Sequence, residues 1–86
     1  MAGYAQITVS RSEGCGWVRF GALPRPQFQL ILQIFLNQFP SCSRSWDDDR
    51  RAWFFPLSLL PAVKQFCDMR FGSRHVSVQY LDLAAA

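Results

Sequence analysis

Residues 39–57, FPSCSRSWDDDRRAWFFPL, decide how this chain folds. Pro40 closes whatever helix precedes it, since its ring disfavours helical geometry at the residue before it. Two runs of strand composition, 41–47 and 51–55, flank a polar joint at 48–50 and read as a β-hairpin. Period two puts Trp53, Phe55 and Leu57 on one face of the second strand. Ser58 then offers a helix cap, and Pro61 falls in a first turn, where a missing N–H costs little. A hairpin entered from one helix and left into another, carrying Trp46, Trp53 and Phe55, is expected to be pinned to a helical layer by those rings.

The flanking segments complete the pattern. Residues 4–11, YAQITVSR, place Ile7 and Val9 two apart, as a strand does. Glu13, Gly14 and Gly16 mark a turn, and residues 17–20 resume as a second strand with Val18 and Phe20 opposite Trp17 and Arg19. From Gln27 to Gln38 the spacing is helical: Phe28, Ile31, Leu32, Phe35 and Phe39 recur at three and four, beside a narrow polar stripe of Gln29, Gln33 and Asn37. Leu30, Ile34 and Leu36 widen the apolar arc, so this helix is expected to be covered on most sides. Pro26 sits in its first turn. A second helix buries Leu59, Leu60, Val63, Phe66 and Cys67, leaves Lys64, Gln65 and Asp68 outside, and stops at Gly72. Residues 75–81 alternate Val76, Val78 and Tyr80 against Ser77 and Gln79 as a last strand. The expected fold class is α+β, in the order β-β-α-β-β-α-β: a mostly antiparallel sheet with two helices packed on one face.

Composition sets the limits. Eighty-six residues make one domain, residues 1–86, and 50% hydrophobic with 15% aromatic content makes it a folded one. A net charge of +3 favours an anionic partner without requiring one. Apolar runs are broken by Gln or Pro every few residues, so no membrane segment is expected, and the opening residues lack the pattern of a secretory leader. Three dispersed cysteines, Cys15, Cys42 and Cys67, build no disulfide framework and read as small buried thiols in the cytoplasm.

Catalytic and metal patterns are lacking. His75 is the single histidine, with no nucleophile motif around it, and there is no CxxC or HxxxH pair. Neither GxGxxG nor GxxxxGK[ST] occurs, so no cofactor and no enzyme activity are expected. Asp47, Asp48 and Asp49 read as a solvated turn, one carboxylate bonding backbone amides and its neighbours pairing with Arg50 or Arg51. The basic residues carry more meaning. Arg19, Arg44, Arg50, Arg51 and Lys64 are the candidates for phosphate contact. Trp17, beside Arg19 on its strand, either stacks a base or covers the sheet edge while Arg19 reaches into water.

The run from the first helix through LNQFPSCSRSWDDDRRAWFFPL resembles the HARP domain of annealing helicases. The resemblance rests on Phe39-Pro40-Ser41, Trp46-Asp47, Arg51, Trp53, Phe55 and Leu57, and spans about residues 17–67. A related module stands at the front of a phage-encoded annealing helicase. Trp46 departs from the tyrosine usual in that family, and Asp48-Asp49 make the turn more acidic. The resemblance implies a substrate-recognition module that engages junctions of single- and double-stranded DNA for a separate helicase or ATPase, without a motor of its own. Binding would follow DNA structure rather than base sequence, because the first helix exposes mainly glutamines. An alternative with the same fold is a protein-interaction module or homodimer that does not bind nucleic acid.

Overall fold

In the computed structural model, which describes residues 3–81, the chain runs β1 (Tyr4–Ser10), β2 (Cys15–Gly21), α1 (Arg25–Gln38), β3 (Ser45–Asp47), β4 (Ala52–Pro56), α2 (Leu60–Phe71) and β5 (Val76–Tyr80). The order of strands and helices is the one expected, and short 3-10 turns join them at Ser41–Ser43, Leu57–Leu59 and Ser73–His75. One sheet takes the strands in the order β3-β4-β2-β1-β5. Pairing is antiparallel everywhere except between β1 and β5. β2 and β3 run the same way with β4 inserted between them, so α1 is the crossover of a split β-α-β unit. α2 likewise carries the chain from β4 past β2 and β1 to β5.

Both helices lie on one face. Registered residues point to the same side of a sheet, so the pairing assigns every side chain. Val78, Ile7, Val18, Trp53 and Trp46 form one row beneath the helices. Tyr80, Val9, Gly16 and Phe55 form the next, and Val76, Ala5 and Phe20 a third. Against these rows pack Phe35 from α1, Phe39 at its C-terminal cap, and Val63, Phe66 and Cys67 from α2. Phe35 is the hub: its ring meets Phe20, Phe39, Trp53 and Phe66 at centroid separations of 5.0 to 6.0 Å. Each such side chain contributes roughly 1.5–3 kcal/mol when taken out of water.

Several expectations are corrected. Helix α1 is not covered on most sides; Phe35 is its one buried residue and Leu30 is 61% exposed. The reason is geometric, since one sheet and one neighbouring helix can cover only part of a cylinder. Ser58 does not cap α2, because a 3-10 turn intervenes and the helix starts after Leu59 without a side-chain cap. The segment 41–47 is a strand only from Ser45, the preceding residues being a turn in which Ser43 Oγ donates to the Pro40 carbonyl. Leu57 lies beyond β4 in the following turn. Trp46 pins little, standing 48% exposed at the sheet edge with its ring edge-on to Trp53. Among the thiols, Cys42 is exposed while Cys15 and Cys67 are buried, and all are free. Among the described residues no helix is long and apolar enough to cross a membrane.

Gly16 is required by packing. Its position opposite Phe55 would bring an added Cβ within 2.8 Å of the Phe55 ring and 3.1 Å of the Thr8 carbonyl oxygen. Phe55 thus crosses the bare backbone of β2 to reach the core. Gly16→Ala is expected to destabilise the fold by about 1–3 kcal/mol through overpacking. Calorimetry should find the melting temperature lowered by roughly 4–8 °C for each of those kcal/mol. An unchanged or raised melting temperature would show that Phe55 yields freely.

Cys67 is fully buried, and burial pushes its thiol from the ordinary 9.0 up to about 12, with Asp68 adding to the shift and Lys64 opposing it. The folded chain therefore keeps a proton that the unfolded chain gives up. This contribution to stability is complete below pH 9.0 and is lost as the pH climbs toward about 12. Native alkylation near neutral pH should modify Cys42 alone, and the urea midpoint should decline once the pH passes 9.0.

Candidate nucleic-acid interface

Among the described residues, no helix lies on the second face of the sheet. Its central row is Gln79, Thr8, Trp17, Phe54 and Ser45, with Ser77, Gln6 and Arg19 beside it. Alternation along β2 puts Trp17 and Arg19 together on this side, as the sequence indicates. Yet Trp17 neither stands bare nor covers an edge: β2 is the middle strand, and the indole is only 6% exposed. A small apolar cluster surrounds it, made of Cys15, Ala52 and the edge-on ring of Phe54 at 6.1 Å. Over the indole lies the Arg50 guanidinium, with Cζ 4.0 Å from the ring centroid. That separation fits a planar cation resting on an aromatic face.

The aspartate turn explains how Arg50 arrives there. Asp47 Oδ2 accepts the Trp17 Nε1–H at 3.0 Å, while Asp47 Oδ1 accepts the backbone N–H of Asp49 and of Arg50 at 3.1 and 3.2 Å. One carboxylate thus ties the hairpin turn to the central strand and sets the start of the Arg50 side chain above the indole. The backbone amide bonds are as expected of this triplet, but its neighbours do not pair with Arg50 or Arg51. Asp48 instead accepts the Trp46 Nε1–H at 3.4 Å. Arg51 closes the turn in the left-handed region, at φ 55°, where glycine is the usual occupant. No group of three or more acidic, histidine or cysteine side chains among the described residues is placed to hold a metal.

Trp17, Arg19, Arg50, Ala52, Gln6 and Thr8 together line a cavity of about 210 Å³ on the helix-free face. Arg19 is steadied there by Gln6, whose Oε1 accepts from Nε at 3.3 Å and from Nη2 at 2.9 Å. Both arginines are exposed, and neither pairs with a carboxylate among the described residues. Two uncompensated guanidiniums around one cleft, with a hydroxyl and an amide on its wall, suit a phosphate.

Of the six candidates read from the sequence, Trp17, Arg19 and Arg50 share this cleft and the others stand elsewhere. Arg51 is exposed on the turn. Arg44 lies on the helix side, 5.4 Å over the Trp53 ring, with its Nε donating to the Phe39 carbonyl at 2.8 Å. Lys64 forms an ion pair with Asp68 at 2.7 Å, one helical turn along α2. Its charge is largely answered there, at the β5 end of the opposite face, where Leu60, Val78 and Tyr80 also lie. Sequence reading missed Gln6 and Thr8 as lining residues, although their alternation with Ile7 on β1 already put them on the polar side.

No protein-family model matches the chain, and neither a curated protein nor a solved structure matches it. Fold and site therefore define the class: a small two-layer α+β domain with an arginine-lined cleft on its bare sheet face.

Asp47 is the residue on which the cleft's geometry rests. Asp47→Ala is expected to cost about 1–3 kcal/mol, since it orphans the part-buried indole N–H. Asp47→Asn, which keeps an acceptor, should cost less. Urea denaturation followed by tryptophan emission measures both, and equal losses would mean that the carboxylate's hydrogen bonds do not matter.

Proposed function

We propose that this protein is a DNA-binding module, similar in role to the HARP domain of annealing helicases, that grips DNA by phosphate contacts on its helix-free face. The observation that carries the reading is the juxtaposition of Arg19 and Arg50 around one cleft without a neutralising carboxylate among the described residues. Polar neighbours and the exposed Arg51 extend that surface. Recognition would be of DNA structure, because phosphates are alike at every sequence and no helix among the described residues lies on this face to read base edges. Like that domain, the module would engage DNA on behalf of a helicase or ATPase motor rather than hydrolyse nucleotide itself. A free, exposed thiol at Cys42 fits a cytoplasmic setting.

A second reading, self-association or another protein contact through α1, is favoured by the exposure of Leu30 and the half-covered Ile31 beside it.

Fluorescence anisotropy with labelled forked, single-stranded and duplex DNA over a salt series tests the first reading. Engagement of about four phosphates gives a log–log salt slope of roughly −3 to −4. Arg19→Ala/Arg50→Ala should weaken binding to all DNA forms and flatten that slope by about two. A protein that sediments as a dimer and binds no DNA even at low salt would overturn it in favour of the second.

A further inference from the structure

The position of Arg50 says more than charge. Were phosphate contact its whole role, a flexible cation reaching into water would serve. Here the guanidinium lies 4.0 Å from the centre of a buried indole, and its backbone N–H is tied to the carboxylate that accepts that same indole's N–H. A Cζ–centroid distance of 4.0 Å is the spacing of a guanidinium laid flat on the ring, an arrangement that turns its other π-face outward, and Arg50 is an exposed residue lining the cleft. A guanidinium is weakly hydrated and planar, so its second face is a stacking surface while its in-plane N–H groups still serve an anion. Across the cleft, Gln6 takes two of Arg19's donors and leaves the rest available. Thr8 and Gln6 add a hydroxyl and an amide to the wall, groups that can meet the edge of a heterocycle.

We propose that the cleft takes a single unpaired nucleotide of DNA, its base stacked on the outer face of Arg50 to complete a Trp17–Arg50–base column, its phosphate held by Arg19. The proposal rests on the DNA-binding reading above and narrows it to strands with unpaired bases. A volume of about 210 Å³ has room for one heterocycle. Bases in a duplex keep their faces inside the stack, so duplex DNA can offer this site its phosphates only. Pre-placement of the guanidinium also removes much of the ordering cost that a free arginine would carry into the complex.

The test compares a labelled oligodeoxythymidine strand with an abasic deoxyribose-phosphate strand of equal length, by anisotropy at low salt. Wild-type protein should bind the thymidine strand about tenfold more tightly, the scale of one base stacked on a side chain. Arg50→Lys keeps the charge and removes the planar face. It should weaken the thymidine strand far more than the abasic strand, bringing the two to within about twofold of each other. Equal wild-type affinity for the two strands overturns the stacking proposal and leaves the phosphate reading standing. A preference that survives in Arg50→Lys likewise removes Arg50 as the platform. Absence of binding to either strand brings down both.

Discussion

A sheet of five strands served by two helices has cover for only one face, and the polar side must therefore manage whatever apolar surface falls on it. In this protein the burden is Trp17, placed by alternation in the middle strand on the side away from the helices. An indole left bare at the centre of a sheet would be an adhesive patch. Instead, Phe54 and Ala52 flank it, Asp47 satisfies its N–H, and Arg50 lies across it. The cover chosen is a cation. A methyl-bearing side chain would shield the ring equally well, but a guanidinium does so while keeping its polar edge in water. The same contact that solves a packing problem thus positions charge at the rim of a cleft.

On the helix side the constraint is met by aromatic interlock. Phe35, the buried residue of α1, touches rings from β2, β4 and α2, so one side chain couples the first helix to two adjacent strands and to the second helix. Edge-on and tilted geometries dominate, the arrangements that ring quadrupoles favour. Gly16 makes room for Phe55 within this layer. Phe28, Ile31, Ile34 and Leu36 pack against the same core from α1, while Leu30 and the polar stripe remain in water.

Much of this was legible in the chain. Alternation in β1, β2 and β5 assigned their faces correctly, and the three-and-four spacing located both helices, because those patterns are local and burial enforces them. Positions of elements that depend on competition between local options were less so. Ser58 has the chemistry of a cap, yet Pro56 and Pro61 favour a 3-10 entry, and residues 41–43 likewise turn before pairing. The site was half legible. Trp17 and Arg19 are neighbours by period two, but Arg50 and Asp47 join them only through the pairing of β4 with β2, a register across a helix that no local pattern states. The Asp47 bond to Trp17 spans a sequence separation of 30. Arg44 and Lys64 looked equivalent to Arg19 in sequence, and differ because a carbonyl, an indole and Asp68 answer their charge elsewhere.

The aspartate triplet shows how one sequence feature can carry opposite electrostatic meanings. Asp47 accepts three donors and lies close against the turn, so its charge is spent locally in placing Arg50. Asp48 turns to Trp46 at the outer edge, away from the cleft's lining. Asp49 remains exposed on the turn. An anion entering the cleft as proposed would meet two arginines in its lining, whereas Asp49 is not among the lining residues and is exposed to water and salt that screen it. Repulsion of that kind weakens long-range attraction more than it weakens a bound complex. On the proposed DNA-binding reading, a surface with only a modest positive charge would favour partners that can enter the cleft, since general attraction to any polyanion is held down while contact with Arg19 and Arg50 is not.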